Sequence, residues 1–484
     1  MMHRFQTFFA FSKCVQKLNL IFGFLLMHHF SIAQVDSSKV LSLNEFMEIV
    51  KLYHPVAKQA NLIPQQAREE LRIARGGWDP LIYSDYDQKT FDGVNYYSYF
   101  ENSVKVPTWY GIEVKAGYDF IYGDRINSES KLPKDGLGYL GISVPLGKNL
   151  FMDKKRAALQ QAKIFQEASQ QQKLVILNDV LFDALKAYYD WSYAYNEFLI
   201  FTEAVNVAIV RNEATIKSAL YGDRPNIDTV ESLTQLQSRQ FQRNEARLKF
   251  LSTSFELSNF LWLDNNISRP IDTTLVPVGV TSDFLSNTVD LSKLQDLEVQ
   301  VRSAHPEILN YNFKLNQLNV ERRLKLENLK PTLNANYNII SERFNFQSTA
   351  GLLFTNNYKF GINFSMPLTF AQGRGELKLT KLKIQNTQLD LDYKTQQLLN
   401  KLRTYYNELI ILQQQTRLYE QQIAALKQLF DGESNRFVNG ESSLFLVNAR
   451  EIAYLSAQVK LRELQTKYYK TEAAVKWSAG QLGQ

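Results

Sequence analysis

Cysteine is nearly missing from this chain of 484 residues, which has only Cys14. Without a second cysteine no intramolecular disulfide can staple the fold, and no metal-binding cysteine cluster can form. Histidine is almost as scarce, and beyond residue 33 only His54 and His305 remain, each directly before a proline. Neither a Walker A motif nor a Gly-rich dinucleotide fingerprint occurs. Scattered serines and aspartates without a histidine partner do not make a triad. The chain is therefore read as a non-enzyme with no cofactor and no metal. The matched His-Pro pairs are expected to have a structural role at a helix kink.

Charge of one sign is also lacking. The formal charge is +6, and residues 1–33 hold three basic and no acidic residues, so the remainder carries +3. No basic stripe stands out over that length, which argues against a nucleic-acid partner. Those first residues read as a secretory signal peptide. Arg4, Lys13 and Lys17 precede the apolar "LNLIFGFLLMHHF", and Ser31-Ile32-Ala33 offers a small-x-small cleavage site before Gln34. Cys14 lies too early to take a lipid at that cleavage point. Beyond it, no stretch reaches the roughly 18 consecutive apolar residues of a spanning helix. An exported chain of this kind is either soluble or a β-barrel.

What is present decides between those two. Tyr (25) and Phe (31) are abundant, and the alternating segments concentrate them. In "GIEVKAGYDF", Ile112, Val114, Ala116, Tyr118 and Phe120 fall on one face of a strand. "TLNANYNII" sets Leu333, Ala335, Tyr337 and Ile339 against three asparagines. "NYKFGINFSMPL" aligns Tyr358, Phe360, Ile362, Phe364 and Met366. An ordinary half-buried sheet would alternate in the same way. With an export signal and this aromatic content, the pattern is that of an outer-membrane barrel, with Tyr118, Phe360, Ile362 and Phe364 toward lipid.

Glycine and proline are missing from residues 148–221 and again from 376–431. Both are rare inside helices, so these gaps allow very long ones. In the first, Val180, Ala184, Ala187, Trp191, Ala194, Phe198, Phe201, Val205 and Ala208 form a seam at three- and four-residue spacing. Gly222 is a natural stop, followed by Asp223 near the cap and Pro225 suited to a first turn. Gly440 is the second stop, with Ser442 and Ser443 available as caps and Gly432 as a rival.

The two halves repeat in order. His54-Pro55 matches His305-Pro306, Pro80 matches Pro331, and "SVPL" (143–146) matches "SMPL" (365–368). "AYYDW" (187–191) matches "TYYNE" (404–408), Gly222 matches Gly440, and Trp262 roughly matches Trp477. This is a tandem duplication of a helix–strands–helix–helix unit. The first repeat is expected over residues 34–269, with strands at about 80–145, a long helix at about 150–220 and a return helix at about 225–262. A linker at 270–290 leads to the second repeat, 291–484, with strands at about 331–367, a long helix at about 374–436 and a return helix at about 442–479.

In this duplicated order, its two S-x-P-L strand exits and its glycine hairpins "YGDRPNIDTVESL" and "NGESSLFLVNA", the chain resembles the TolC-like outer-membrane efflux family. The resemblance implies an α+β membrane protein: a homotrimer whose protomers each give four strands to a twelve-stranded β-barrel in outer-membrane lipid, continued by a long periplasmic α-helical barrel. It also implies a duct in a Gram-negative outer membrane working with a periplasmic adaptor (membrane fusion) protein and an inner-membrane pump. A type I protein-secretion duct shares the fold and stays open, as does a soluble periplasmic coiled-coil scaffold. The resemblance places the adaptor-contacting tips at Gly222 and Gly440 and an acid of the pore gate at Asp228. Glu231, one helix turn on, and Arg224 join it as gate candidates. Where the family has a second acidic ring this chain has Leu446 and Ala449, so closing contacts that are partly apolar are expected. Residues 79–146 hold about four alternating runs where one hairpin is implied. Long strands kinked near Gly93 and Pro107 are the expected solution, in preference to an extra hairpin outside the membrane.

Overall fold

A computed structural model describes residues 40–270, 275–279, 282–286, 291–342 and 357–483. The expected signal peptide and about half of the expected linker lie outside the described residues. In chain order the elements are β1 (Val40–Leu41), α1 (Leu43–Tyr53), α2 (Pro55–Gly76), β2 (Leu81–Phe91), β3 (Val94–Pro107), β4 (Glu113–Tyr122) and β5 (Leu137–Pro145). Then come α3 (Lys154–Leu220), α4 (Asn226–Ser258), β6 (Val276–Pro277), α5 (Leu291–Ala304), α6 (Pro306–Glu327), β7 (Thr332–Ser341), β8 (Tyr358–Ser365), α7 (Ala371–Val438) and α8 (Leu444–Ser478).

Each long helix is set by its ends. Asp153 caps α3 by accepting from the Arg156 N–H at 2.8 Å, and the Arg156 guanidinium donates to the Leu150 and Asn149 carbonyls. At 67 residues, α3 is about 100 Å long. It stops where Gly222 takes φ +79°, with Gly222 N–H donating to the Ala219 carbonyl and Asp223 N–H to that of Ser218. That pair of bonds is a Schellman stop, which needs the left-handed backbone that glycine adopts without strain. The same pair recurs at Gly440, so α7 runs through Gly432 and ends at Val438. Pro225 is the residue before α4 rather than in its first turn, and Ser443, not Ser442, caps α8.

The His-Pro pairs break the shorter helices in the same manner. Nδ1 of His54 accepts from the Val56 N–H at 3.3 Å, and Nδ1 of His305 accepts from the Glu307 N–H at 3.2 Å. Each histidine is thus the N-cap of the helix that its proline begins. Burial pushes the His305 imidazole down to about 4, with Lys394 adding to that effect and Asp179 opposing it. The unfolded chain protonates this histidine near 6.5, so its contribution is complete above that pH and is lost as pH falls toward 4. The loss at pH 5 is about 2 kcal/mol. Thermal unfolding of the detergent-solubilised protein should therefore shift down between pH 7 and pH 5, and His305→Asn, which keeps a capping group, should remove part of that shift. An equal decline in both proteins would overturn the assignment.

The seam on α3 packs as a core. Ala184, Trp191, Ala194, Val205 and Ala208 are buried, and Val180, Ala187 and Phe198 pack at the edge of a cluster holding Phe46, Val50, Phe250 and Leu257. Trp191 donates its indole N–H to Ser254 Oγ at 2.9 Å. A second cluster forms between α7 and α8 around Leu399, Leu402, Tyr406, Leu464 and Tyr468. Helices α3 and α8 meet where Trp477 stacks on Phe182 and donates to Asp179 Oδ1 at 2.7 Å. Among the described residues no helix is long and apolar enough to cross a membrane.

Six strands form one antiparallel sheet in the order β2-β3-β4-β5-β7-β8. Among the described residues this corrects the expectation of long strands kinked near Gly93 and Pro107, because 79–146 holds four separate strands. Asp92 and Gly93 have φ of 48° and 69°. Positive φ at both central residues is the type I′ geometry that turns a strand back in two residues, so Gly93 is a hairpin turn and not a kink. Pro107 ends β3, and the Thr108 N–H and hydroxyl both bond the Ile112 carbonyl to turn the chain again.

Register sorts the sheet into two faces. Val104–Ala116, Ala116–Leu140, Leu140–Ile339 and Ile339–Tyr358 are successive neighbours on one face. Tyr118, Phe360, Ile362 and Phe364 share it. Successive neighbours on the other face are Lys105, Lys115, Gly141, Asn338 and Lys359. The sheet is apolar on one side and polar on the other.

Candidate functional site at the hairpin tips

The α3–α4 and α7–α8 hairpins end together at the Gly222 and Gly440 turns. Neither glycine has any atom within 4 Å of where a Cβ would stand, so backbone conformation alone requires glycine there. Large apolar side chains surround these turns in the open: Leu220, Tyr221 and Val438 are each at least 80% exposed.

The first hairpin clasps the second. Arg224 lies 3.6 Å from the centroid of the Phe437 ring and donates to the Phe437 carbonyl at 2.9 Å. Its other guanidinium nitrogen is 3.9 Å from the Asp228 carboxylate. Asp228 is in the first turn of α4, where the helix dipole also favours an acid. Glu231 points differently: its carboxylate accepts from Asn448 Nδ2 of α8 at 3.0 Å. Asp228 and Glu231 therefore serve separate contacts in the single chain. On α7, Glu433 accepts a short hydrogen bond from the Ser442 hydroxyl.

A buried network extends inward from Glu231. Asn448 Oδ1 accepts from Arg211 of α3 at 3.3 Å, and Arg211 is bidentate on Glu451 at 2.8 and 3.3 Å. Arg239 of α4 approaches the same Glu451 carboxylate at 3.5 Å. Glu451 and Arg239 are only 3% and 2% exposed, so two cations share one acid out of water. Burial lowers the Arg239 guanidinium from the usual arginine range, and the Glu451 carboxylate acts the other way. Three helices from both hairpins are joined by one carboxylate.

Sequence reading missed this centre. The seam of α3 carries a signal for it: Ala204 and Ala208 are followed at the same spacing by Arg211 and Thr215, so the apolar stripe turns polar near the tip. Leu446 is 41% exposed, while Ala449 lines an open cleft with Ile227, Val230, Phe445 and Ile452. Among the described residues no group of three or more His, Cys, Asp or Glu could hold a metal ion.

Residues 297–481 match the family model described as outer membrane efflux protein. No curated protein sequence matches the chain. Among solved structures, the CmeC outer membrane channel of Campylobacter jejuni superposes with a TM-score of 0.63 at 15% identity, covering 90% of this chain and 85% of that one. The outer membrane protein VceC of Vibrio cholerae gives 0.63 at 14% identity, over 90% and 95% of the two chains. The open state of the MtrE outer membrane channel of Neisseria gonorrhoeae gives 0.64 at 14% identity, over 90% and 89%. The match to the outer membrane efflux protein model is confined to residues 297–481, and along most of its length the chain shares the fold of these outer-membrane channels.

Proposed function

We propose that three copies of the chain form the exit duct of a tripartite efflux system, passing substrates from an inner-membrane pump and a periplasmic adaptor to the exterior. The observation that carries this reading is a sheet with one apolar face joined directly to helices about 100 Å long. An open sheet in lipid leaves backbone groups at its edges unpaired, which closure by several copies removes. Transport through such a duct is passive and needs no catalytic group. The Gly222 and Gly440 turns are the adaptor-facing tips, and their exposed Leu220, Tyr221 and Val438 supply the apolar contact area. Membrane fractionation tests the reading: detergent-extractable trimers in the outer membrane support it, and a soluble periplasmic protein would overturn it.

Arg224, Asp228 and Glu231 are proposed to hold the tip closed, together with the Arg211–Glu451–Arg239 centre. The bonds of Arg224, Glu231 and Arg211 run between hairpins, so opening must break them, and Asp228 acts through its ion pair with Arg224. Asp228→Asn combined with Glu231→Gln should give a larger and less cation-selective single-channel conductance in a planar bilayer. An unaltered trace would leave both acids with helix-end and packing roles only.

A further inference from the structure

The helix ends that meet the sheet differ in charge from the rest of the chain. Residues 154–163 of α3, 314–330 of α6 and its exit, and 374–383 of α7 hold thirteen basic and three acidic side chains. Residues 67–79, where α2 reaches the sheet, are balanced at three of each. The excess of ten is larger than the formal charge of the whole chain, +6. No single segment forms a basic stripe, and the fold assembles one from three. The Phe151 N–H donates to Glu327 Oε1 at 3.2 Å, Gln161 Nε2 to the Gln317 carbonyl at 3.5 Å, and Lys325 Nζ to Glu376 at 3.0 Å. We infer that this band binds the phosphate headgroups of anionic phospholipids in the periplasmic leaflet. The inference rests on the outer-membrane duct reading and adds a lipid class and the depth at which the sheet sits.

The apolar face of the sheet leads into the band. The Leu146 N–H donates to the Leu333 carbonyl and the Lys148 N–H to that of Pro331, so strand pairing runs on and Lys148 follows Leu146 on the apolar side. A lysine at the end of a lipid-facing row keeps its stem on apolar surface and its ammonium among phosphates. Exposed aromatic rings stand at the same end. Phe151 is exposed, with Lys330 Nζ 4.5 Å from its ring centroid. Trp109 and Tyr110, 55% and 79% exposed, project from the β3–β4 turn. That turn is held in place from two sides. Trp78 stacks on Trp109 at 4.3 Å and donates its indole N–H to the Thr108 carbonyl. Gly111, at φ +82°, packs so closely on Arg156 that a Cβ would stand 2.9 Å from the guanidinium. Aromatic rings fixed at the end of an apolar sheet mark the level of the headgroups.

The cations fall within reach of that level. Lys163 is nine residues beyond Lys154, about 14 Å along α3, and Arg323 is four residues, about 6 Å, from the end of α6. The headgroup layer is about 5–8 Å deep on each side of the hydrocarbon, and long basic side chains extend the reach. A cleft of about 610 Å³ between α3 and α6 lies there, lined by Lys163, Arg322 and Arg323 with Asn316 and Asn319 beside Val320. No acid lines it, and none of its three cations has an ion-pair partner among the described residues. Phosphate oxygens supply the missing counter-charge, and the amides can bond the ester and glycerol oxygens. An acidic cell-wall polymer would match the charge but would leave Trp109, Tyr110 and Phe151 without an apolar partner.

The probe is short-chain phosphatidylglycerol added to full-length trimers in a neutral detergent. It should bind about tenfold tighter than short-chain phosphatidylcholine. Lys163→Gln combined with Arg322→Gln and Arg323→Gln should weaken it about a hundredfold while trimers persist on semi-native gels. In vesicles of phosphatidylglycerol brominated near the headgroup, Trp109→Phe should lose tryptophan quenching that the wild type shows, and unchanged quenching would overturn the assigned depth. Equal binding of the two lipids, or inorganic phosphate binding as tightly as phosphatidylglycerol, would overturn the inference with the duct intact. So would isolated cell-wall glycan that binds the wild type and not the triple variant while the lipid binds both equally. Absence of trimers in detergent would overturn both the inference and the duct reading.

Discussion

Glu451→Gln should open the periplasmic end of the duct. The wild-type carboxylate is the one acid shared by Arg211 and Arg239, and it lies 3% exposed between helices of both hairpins. An amide of the same shape removes the charge and replaces one acceptor oxygen with a donor nitrogen. The buried Arg239 and the half-buried Arg211 would then lose the carboxylate that they share. Breaking a buried ion pair from one side costs about 3–5 kcal/mol, most of it from the stranded charge. That cost falls only on the packed arrangement, because arginines on separated hairpins regain water. The equilibrium between packed and separated tips should therefore shift by at least two orders of magnitude. The measurement is single-channel conductance, together with amide hydrogen exchange over the α3–α4 and α7–α8 turns. Higher conductance and faster exchange confined to these turns are expected. Unchanged exchange there would mean that the centre does not hold the hairpins together.

A conservative control separates this from general unfolding. Arg239→Met removes the second cation and leaves Glu451 paired bidentate with Arg211. Burying an apolar chain in place of an excess charge is often neutral or stabilising, so this variant should keep the closed conductance. If it opens the tip as far as Glu451→Gln does, the network acts through packing alone.

How much of this was legible follows from which interactions are local. The Schellman stops at Gly222 and Gly440 and the alternation of Tyr358, Phe360, Ile362 and Phe364 are written in residues close in sequence. The helical seam was equally readable, because Ala184, Trp191 and Ala194 declare one face by spacing alone. The Asp92-Gly93 turn was also a local signal. It was passed over because the family resemblance called for fewer strands, and the turn chemistry prevailed. The tip centre was not readable in the same way. Arg211, Arg239 and Glu451 come from three helices, and Arg211 and Glu451 are 240 residues apart. Nothing near any one of them names its partners. Asp228 and Glu231 looked like a pair from their spacing, but spacing gave only a shared region. Arg224 and Asn448 decide where each of them points.

Ile362→Arg should abolish trimer assembly, while Asn363→Arg next to it should not. Ile362 lies on β8 opposite Ala335 of β7, on the face that also holds Tyr118, Phe360 and Phe364. Asn363 is opposite Asn334 on the other face. An arginine at the lipid midplane of a barrel costs about 2–4 kcal/mol, whereas one facing a water-filled lumen keeps its hydration. Three copies triple that cost to about 6–12 kcal/mol per trimer, comparable with the whole stability of a typical folded domain. The neighbouring position is the proper control because it changes the same strand, by the same side chain, at nearly the same depth. Semi-native gels of outer membranes would read trimer against monomer for both variants. Loss of trimer in Ile362→Arg with retention in Asn363→Arg fixes the apolar face toward lipid. The reverse pattern would turn the sheet inside out, and equal behaviour would mean that this strand does not cross the membrane.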